Sequence, residues 1–195
     1  MRPAPRIRRL GLMAVGPVAL LISLALAGCG DKSLILRVDL LSFLTPSETQ
    51  AHYGPLPGGL SDSITVTSSR QINLLPGIRD ITSVSAVSID AAGVFANSTG
   101  SGSGTVKIFI SAEGTDPFTT DTTPIVLPIT LAPATTDTVA VTISGDSQLA
   151  DLFLGDKAQL GIRLTLQSAV GPALEGDFTL TTLRAVVTAR QNIIN

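Results

Sequence analysis

The sequence predicts an all-β fold, an antiparallel β-sandwich of the immunoglobulin-like or jelly-roll-like kind with one short helix. Three observations carry that expectation. Apolar residues recur at every second position in segment after segment, the period of a strand with one buried face. Turn-forming residues punctuate these segments at short intervals, as in sandwiches and barrels. Helical spacing surfaces only once, between Ser147 and Gly155.

The elements begin with a leader. Met1 to Arg9 holds four arginines and no acid, and Leu10 to Ala27 is apolar apart from Ser23, the order of a secretory signal. From Val18 to Ala27 the run is free of Gly and Pro and about ten residues long, too short to span a bilayer as a helix. Arg8-Arg9 also admits a twin-arginine signal, but its surroundings match that pattern poorly.

The leader ends in Leu26-Ala27-Gly28-Cys29, which resembles the lipobox of bacterial lipoproteins. The resemblance covers the leader and its junction only. It implies cleavage before Cys29, a diacylglyceryl thioether on its sulfur and further acylation of the new amino group. Two or three acyl chains anchor a protein stably where one does so marginally. Gly30, where an inner-membrane retention signal of the enteric type has Asp, implies the outer membrane of the cell envelope, although Asp31 follows directly. On this reading residues 1–28 are a cleaved signal peptide, 29–32 a lipid-anchored tether and 33–195 one sandwich domain.

The remaining 195 − 28 = 167 residues carry nine basic and fifteen acidic side chains, 9 − 15 = −6, which argues against nucleic acid as a partner. A chain of that length buries roughly 70% of its unfolded surface and holds a core without disulfides. Leu34, Leu36, Val38, Leu40 and Leu44 share one parity, and the alternation returns at Ile64-Val66, Val106 to Ile110, Ile125 to Leu131, Val139 to Ile143 and Leu160 to Leu166. Val84 and Ala86 give way to Val87 and Ile89, and Phe178 and Leu180 to Leu183, Ala185 and Val187. Each change of parity predicts a bulge or a crossing between sheets. Pro128 cannot donate to a ladder, so its strand belongs at a sheet edge. Ser147 caps a short helix, ended by Gly155, whose Leu149, Leu152 and Phe153 plug one end of the sandwich. Turns fall at Pro76-Gly77, Asp116-Pro117, Pro133, Gly145-Asp146 and Gly171-Pro172, and the Gly/Ser-rich stretch Asn97 to Gly104 is expected to be a flexible hairpin tip.

Catalytic constellations are sparse. The one histidine is His52, and no Gly-x-Ser-x-Gly elbow accompanies it. With no Trp and one Tyr, sugar stacking is disfavoured. Asp116, Asp121, Asp146, Asp151 and Asp156 have the oxygen chemistry for calcium, but turn and cap duty explains them, so no metal or cofactor is expected. Asn97-Ser98-Thr99 matches the glycosylation pattern by coincidence in such a protein. The strongest anomaly is Thr45 to Ser61, 17 residues without periodicity that hold the only His and Tyr. Two functions remain: a non-catalytic binding or structural module of the envelope, with His52, Tyr53 and Leu56 on this loop and the nearby Pro128 edge meeting an envelope protein, or a lipid-anchored hydrolase using His52. The membrane itself is the partner expected for Cys29.

Overall fold

The computed structural model describes residues 32–67, 72–73, 81–119, 124–145, 147–155 and 157–191. The leader, Cys29, the Pro76-Gly77 turn, Asp121, Asp146 and Asp156 lie outside them. Among the described residues ten strands form two five-stranded sheets, every pairing antiparallel.

Sheet A is organised around β10 (Leu174–Gln191), which pairs along its whole length with β5 (Ile81–Thr99). Its other side is shared end to end: β1 (Lys32–Asp39) takes the half from Arg184 to Gln191, and β2 (Gln50–Leu56) takes Leu174 to Thr179. β8 (Thr135–Ser144) closes the sheet beyond β5. Sheet B repeats the plan, with β9 (Lys157–Ser168) between β6 (Gly102–Ala112) on one side and β3 (Ser61–Thr67) and β4 (Ile72–Asn73) on the other. β7 (Ile125–Leu131) lies outside β6.

The chain alternates between sheets in a particular order. With β1/β2 and β3/β4 each counted as one interrupted strand, the eight strands are arranged 1-8-3-6 in sheet A and 2-7-4-5 in sheet B. That order is the double Greek key of a jelly roll, which decides between the two sandwiches the sequence allowed. Ile89, Phe95, Ile108, Leu127, Leu160, Leu164, Leu183 and Val187 fill the space between the sheets. β7 is an edge strand, as Pro128 requires, and Pro128 faces solvent opposite Thr105.

Both parity changes are bulges within sheet A. Between Leu180 and Thr182 the register slips, and the extra residue, Thr181, turns its hydroxyl to the Ala92 carbonyl at 3.2 Å. Ser85 is skipped in the same way opposite Thr188 and donates to that residue's carbonyl at 3.1 Å. A side-chain donor at each bulge satisfies an oxygen that the disturbed ladder would leave without a partner.

Helical structure exceeds the single helix expected. Leu40–Phe43 is a 3-10 turn, so the strand alternation stops at Asp39 and Leu44 lies beyond it. α1 (Pro46–Thr49) follows, with Pro46 at its start and Glu48 accepting hydrogen bonds from the Thr45 N–H and hydroxyl, both at 2.7 Å. α2 (Ser147–Leu152) is the expected helix, beginning at Ser147 and burying Ala150 and the adjoining Phe153. It links β8 of one sheet to β9 of the other and packs on β5 and β6.

The stretch from Asn97 to Gly104 is not a hairpin tip. β5 ends in sheet A at Thr99 and β6 begins in sheet B at Gly102, so the Gly100-Ser101 turn carries the chain between sheets. Its glycines permit close backbone approach: a Cβ on Gly102 would collide with the Gln167 carbonyl, and one on Gly100 would fall 2.5 Å from the Ala173 oxygen.

On the outer face of sheet B, residues 113–119 fold back over the strands. Ser111 donates to the Thr115 carbonyl at 2.9 Å, and Phe118 meets Phe109 edge to face at 5.4 Å. The Arg163 guanidinium sits 4.7 Å from the Phe118 ring centroid. Asp116 does turn duty there, its carboxylate accepting from the Phe118 N–H at 3.0 Å.

Candidate functional site

The segment from Thr45 to Ser61, expected as one long irregular loop, is almost fully structured. It holds α1, all of β2 and a turn, Pro57 to Leu60, closed by the Leu60 N–H on the Pro57 carbonyl at 3.2 Å. Periodicity is missing from the sequence because β2 bulges. Tyr53 pairs with Gly176 and Leu56 with Leu174, so Gly54 and Pro55 together oppose Glu175 alone. Gly54 takes φ +90° and passes so close to the Leu174 carbonyl that no side chain fits. Two inward residues three apart then replace strict alternation.

Those two inward residues are Tyr53 and Leu56, which corrects their expected place on an exposed loop. Tyr53 is 1% exposed and Leu56 8%. The Tyr53 ring stands 6.3 Å from Phe95, which lies 4.8 Å from Phe178, an aromatic row crossing from β2 through β5 and β10. Gly176 makes room for it, since a Cβ there would come 2.5 Å from the phenol oxygen. The Tyr53 hydroxyl donates to Asn97 Oδ1 at 3.4 Å, and the Asn97 amide donates to the carbonyls of Gly100 at 2.9 Å and Ala132 at 2.6 Å. Burial, with a smaller contribution from the Asp177 carboxylate, pushes the phenol up to about 12 from its ordinary 10.0. Tyr53 and Asn97 are therefore a neutral polar joint inside the core. Asn97, 3% exposed, is inaccessible to glycosylation in the folded chain.

His52 points the other way, onto the outer face of sheet A. Its Nδ1 lies 3.0 Å from Asp177 Oδ1, directly across the ladder, and its Nε2 lies 3.8 Å from Glu175 Oε1. All three side chains are well exposed. Both ring nitrogens are thus engaged by acids of one strand, and water reaches the cluster from the open face. Among the described residues no cluster of three or more His, Cys, Asp or Glu has the arrangement to hold a metal ion.

Sequence reasoning missed Asp177, Glu175 and Asn97. The acids alternate with Leu174, Gly176 and Phe178, so their outward direction was readable; that β2 lies beside them was not. The Pro128 edge is not near this segment either, because β7 and β2 lie at opposite flanks of the sandwich. A small apolar cleft opens between the sheets below α1, floored by Ile64, Ile162, Leu164 and Phe178 and rimmed by Glu48 to Ala51. Its accessible interior is about 10 Å³, room for one water molecule.

No protein-family model matches the chain, and no curated protein does. Among solved structures it is similar to that of the infectious bursal disease virus Gt strain, with TM-score 0.42 and 12% identity over 99% of this chain and 42% of that one. The Gx strain structure gives TM-score 0.39 and 11% identity over 84% and 37% of the two chains. T=1 particles derived from the same virus give TM-score 0.30 and 11% identity over 99% and 42%. The chain thus spans about two fifths of the length of the structures it resembles.

Proposed function

We propose that the chain is a lipid-anchored protein of the bacterial envelope, held at the outer membrane, whose jelly roll works as a non-catalytic binding or structural module. One observation carries this reading: the Leu26-Ala27-Gly28-Cys29 motif closes a basic and then apolar leader, and the first strand starts three residues later at Lys32. Thiolate chemistry suits Cys29 to take the lipid, and the small residues before it give a peptidase access to the backbone.

The anchor sets an orientation. Extended chain from Cys29 to Lys32 covers at most about 10 Å, so the β1 end of sheet A is held against the bilayer. Lys32 pairs with Gln191, and Gln191 with Ile81, so these three belong to the membrane-near end. β2 pairs with the other end of β10. Asp177 and Gln191 are 14 residues apart on that strand, about 45 Å at the usual rise, which carries the His52 cluster and the 57–60 turn away from the lipid. A partner in the envelope would then meet the far end or the flanks of the sandwich.

Cys29→Ser tests the reading. The expected result is loss of palmitate incorporation and accumulation of an uncleaved or soluble species, while labelling and membrane partition that persist unchanged overturn it.

A further inference from the structure

We propose that the tethered half of the outer face of sheet A lies on the bilayer, with Ile35, Arg37 and Arg190 seated among anionic lipid headgroups. The proposal rests on the lipid anchor at Cys29, and names the face and the lipid chemistry that the anchor brings together. In β1, Leu36 and Val38 pack on the core, so Ser33, Ile35, Arg37 and Asp39 turn outward. In β10, Val187 and Ala189 are buried, and Arg184, Val186, Thr188 and Arg190 share that outer face. Ile35 is 67% exposed and sits opposite Thr188, two residues from Arg37 along its strand and diagonal to Arg190. Those steps are about 7–8 Å, which makes the three side chains one patch.

Charge names the occupant. Arg37 has Val186 as its ladder partner, Arg190 has Ser33 and Ser83, and among the described residues neither guanidinium forms an ion pair. Arg184, further from the anchor, lies between Asp39 and Asp90 in the ladder, so acids answer its charge locally. Beyond it the same face carries Glu175 and Asp177 beside His52. The face thus runs from basic and apolar at the tethered end to acidic at the far end. A negative surface attracts the first and repels the second, which lays the β1–β10 face down and lifts the His52 cluster. The other side of the tethered end offers no equivalent, because Lys157 is paired with Glu113 at 3.3 Å and α2 exposes Asp151. Each arginine held near an anionic bilayer strengthens the contact about fivefold, and an exposed isoleucine reaches the boundary between headgroups and acyl chains. Such a contact is weak alone. The anchor makes it intramolecular, since Ile35 follows Cys29 by only six residues.

The test uses the acylated full chain in vesicles of phosphatidylcholine, with and without phosphatidylglycerol. Cys29 is the only cysteine, so an acylated parent takes up no maleimide dye. A parent that does take it up overturns the anchor and this proposal together. On an unlabelled parent background, an environment-sensitive dye on Ile35→Cys is read against quenchers carried on lipid headgroups. Quenching is expected with phosphatidylglycerol at low salt, and is expected to fade in phosphatidylcholine alone or near 1 M salt, where the Debye length is about 3 Å. The docked-to-free ratio should drop about fivefold for Arg37→Gln and about fivefold again when Arg190→Gln is added. A dye on Val126→Cys, on the outer face of sheet B, should stay unquenched throughout. Quenching at position 35 that ignores lipid charge and salt, or that survives both arginine replacements, overturns the proposal and leaves the anchor standing. Quenching at position 126 equal to that at 35 does the same. Should the arginine variants lose their circular dichroism, the lipid and salt comparisons on the intact arginines decide.

Discussion

The Tyr53 hydroxyl and the Asn97 carboxamide meet at 3.4 Å inside the core, joining β2 to β5 across the intervening β10. Through its amide, Asn97 extends the joint to the Gly100 and Ala132 carbonyls, so the turns at 100–101 and 132–134 are held by the same side chain. Removing a neutral hydrogen bond costs about 0.5–1.5 kcal/mol, and leaving a buried partner unsatisfied costs about 1–3 kcal/mol. A connection of this kind makes the segment around Tyr53 part of the fold.

Tyr53 is the sole tyrosine and the chain has no Trp, so tyrosinate absorbance reports this one side chain. In the folded protein it should titrate near pH 12, against 10.0 when unfolded. The raised value means that the unfolded state loses its proton first on alkalisation. The corresponding stability is complete below pH 10 and is lost as the pH climbs from there to about 12. Tyr53→Phe should remove that part of the alkaline decline. A native-state titration at 10.0 would contradict the buried placement.

Asn97→Ala should destabilise the protein by about 1–3 kcal/mol or more, because it strips partners from two carbonyls and the phenol at once. Asn97→Asp should be worse, since it sets a carboxylate against the two carbonyl oxygens and must bury a charge. Urea unfolding followed by far-ultraviolet circular dichroism checks both. A change within about 0.5 kcal/mol for Asn97→Ala would show the joint to be idle.

Replacing residues 48 to 58 with a short Gly/Ser bridge should abolish cooperative folding. The exchange removes β2, and truncating a large buried aromatic or a leucine alone costs about 3–5 or 2–5 kcal/mol. Those losses rival the whole stability of an ordinary domain, about 5–15 kcal/mol. A bridged chain that unfolds cooperatively near the parent's midpoint would return the segment to the status of a dispensable loop.

Much of the sandwich was legible because strands with one face in a core advertise themselves by parity. β9 alternates from Leu160 to Leu166, and the breaks at Ser85 and Thr181 were visible as shifts of that parity. Pro128 announced its edge through a missing donor. β2 was not legible, for a physical reason: its bulge spends Gly54 and Pro55 opposite one residue, so Tyr53 and Leu56 fall out of any period of two. A signal at its start was present, since Thr45-Pro46-Ser47-Glu48 is a capping box with proline at the first helical position. The His52 cluster was half legible, because the outward parity of Glu175 and Asp177 is local while their neighbour across the ladder comes from 125 residues away.

The proposed lipid anchor lies at Cys29, ahead of the first strand at Lys32. Intact mass and amino-terminal fragment analysis of the chain isolated from bacterial envelopes tests it most directly. The expected result is a mature protein that begins at Cys29 and carries a diacylglyceryl group on the sulfur. A chain that retains Met1, or one cleaved elsewhere with Cys29 as a free thiol, would contradict it.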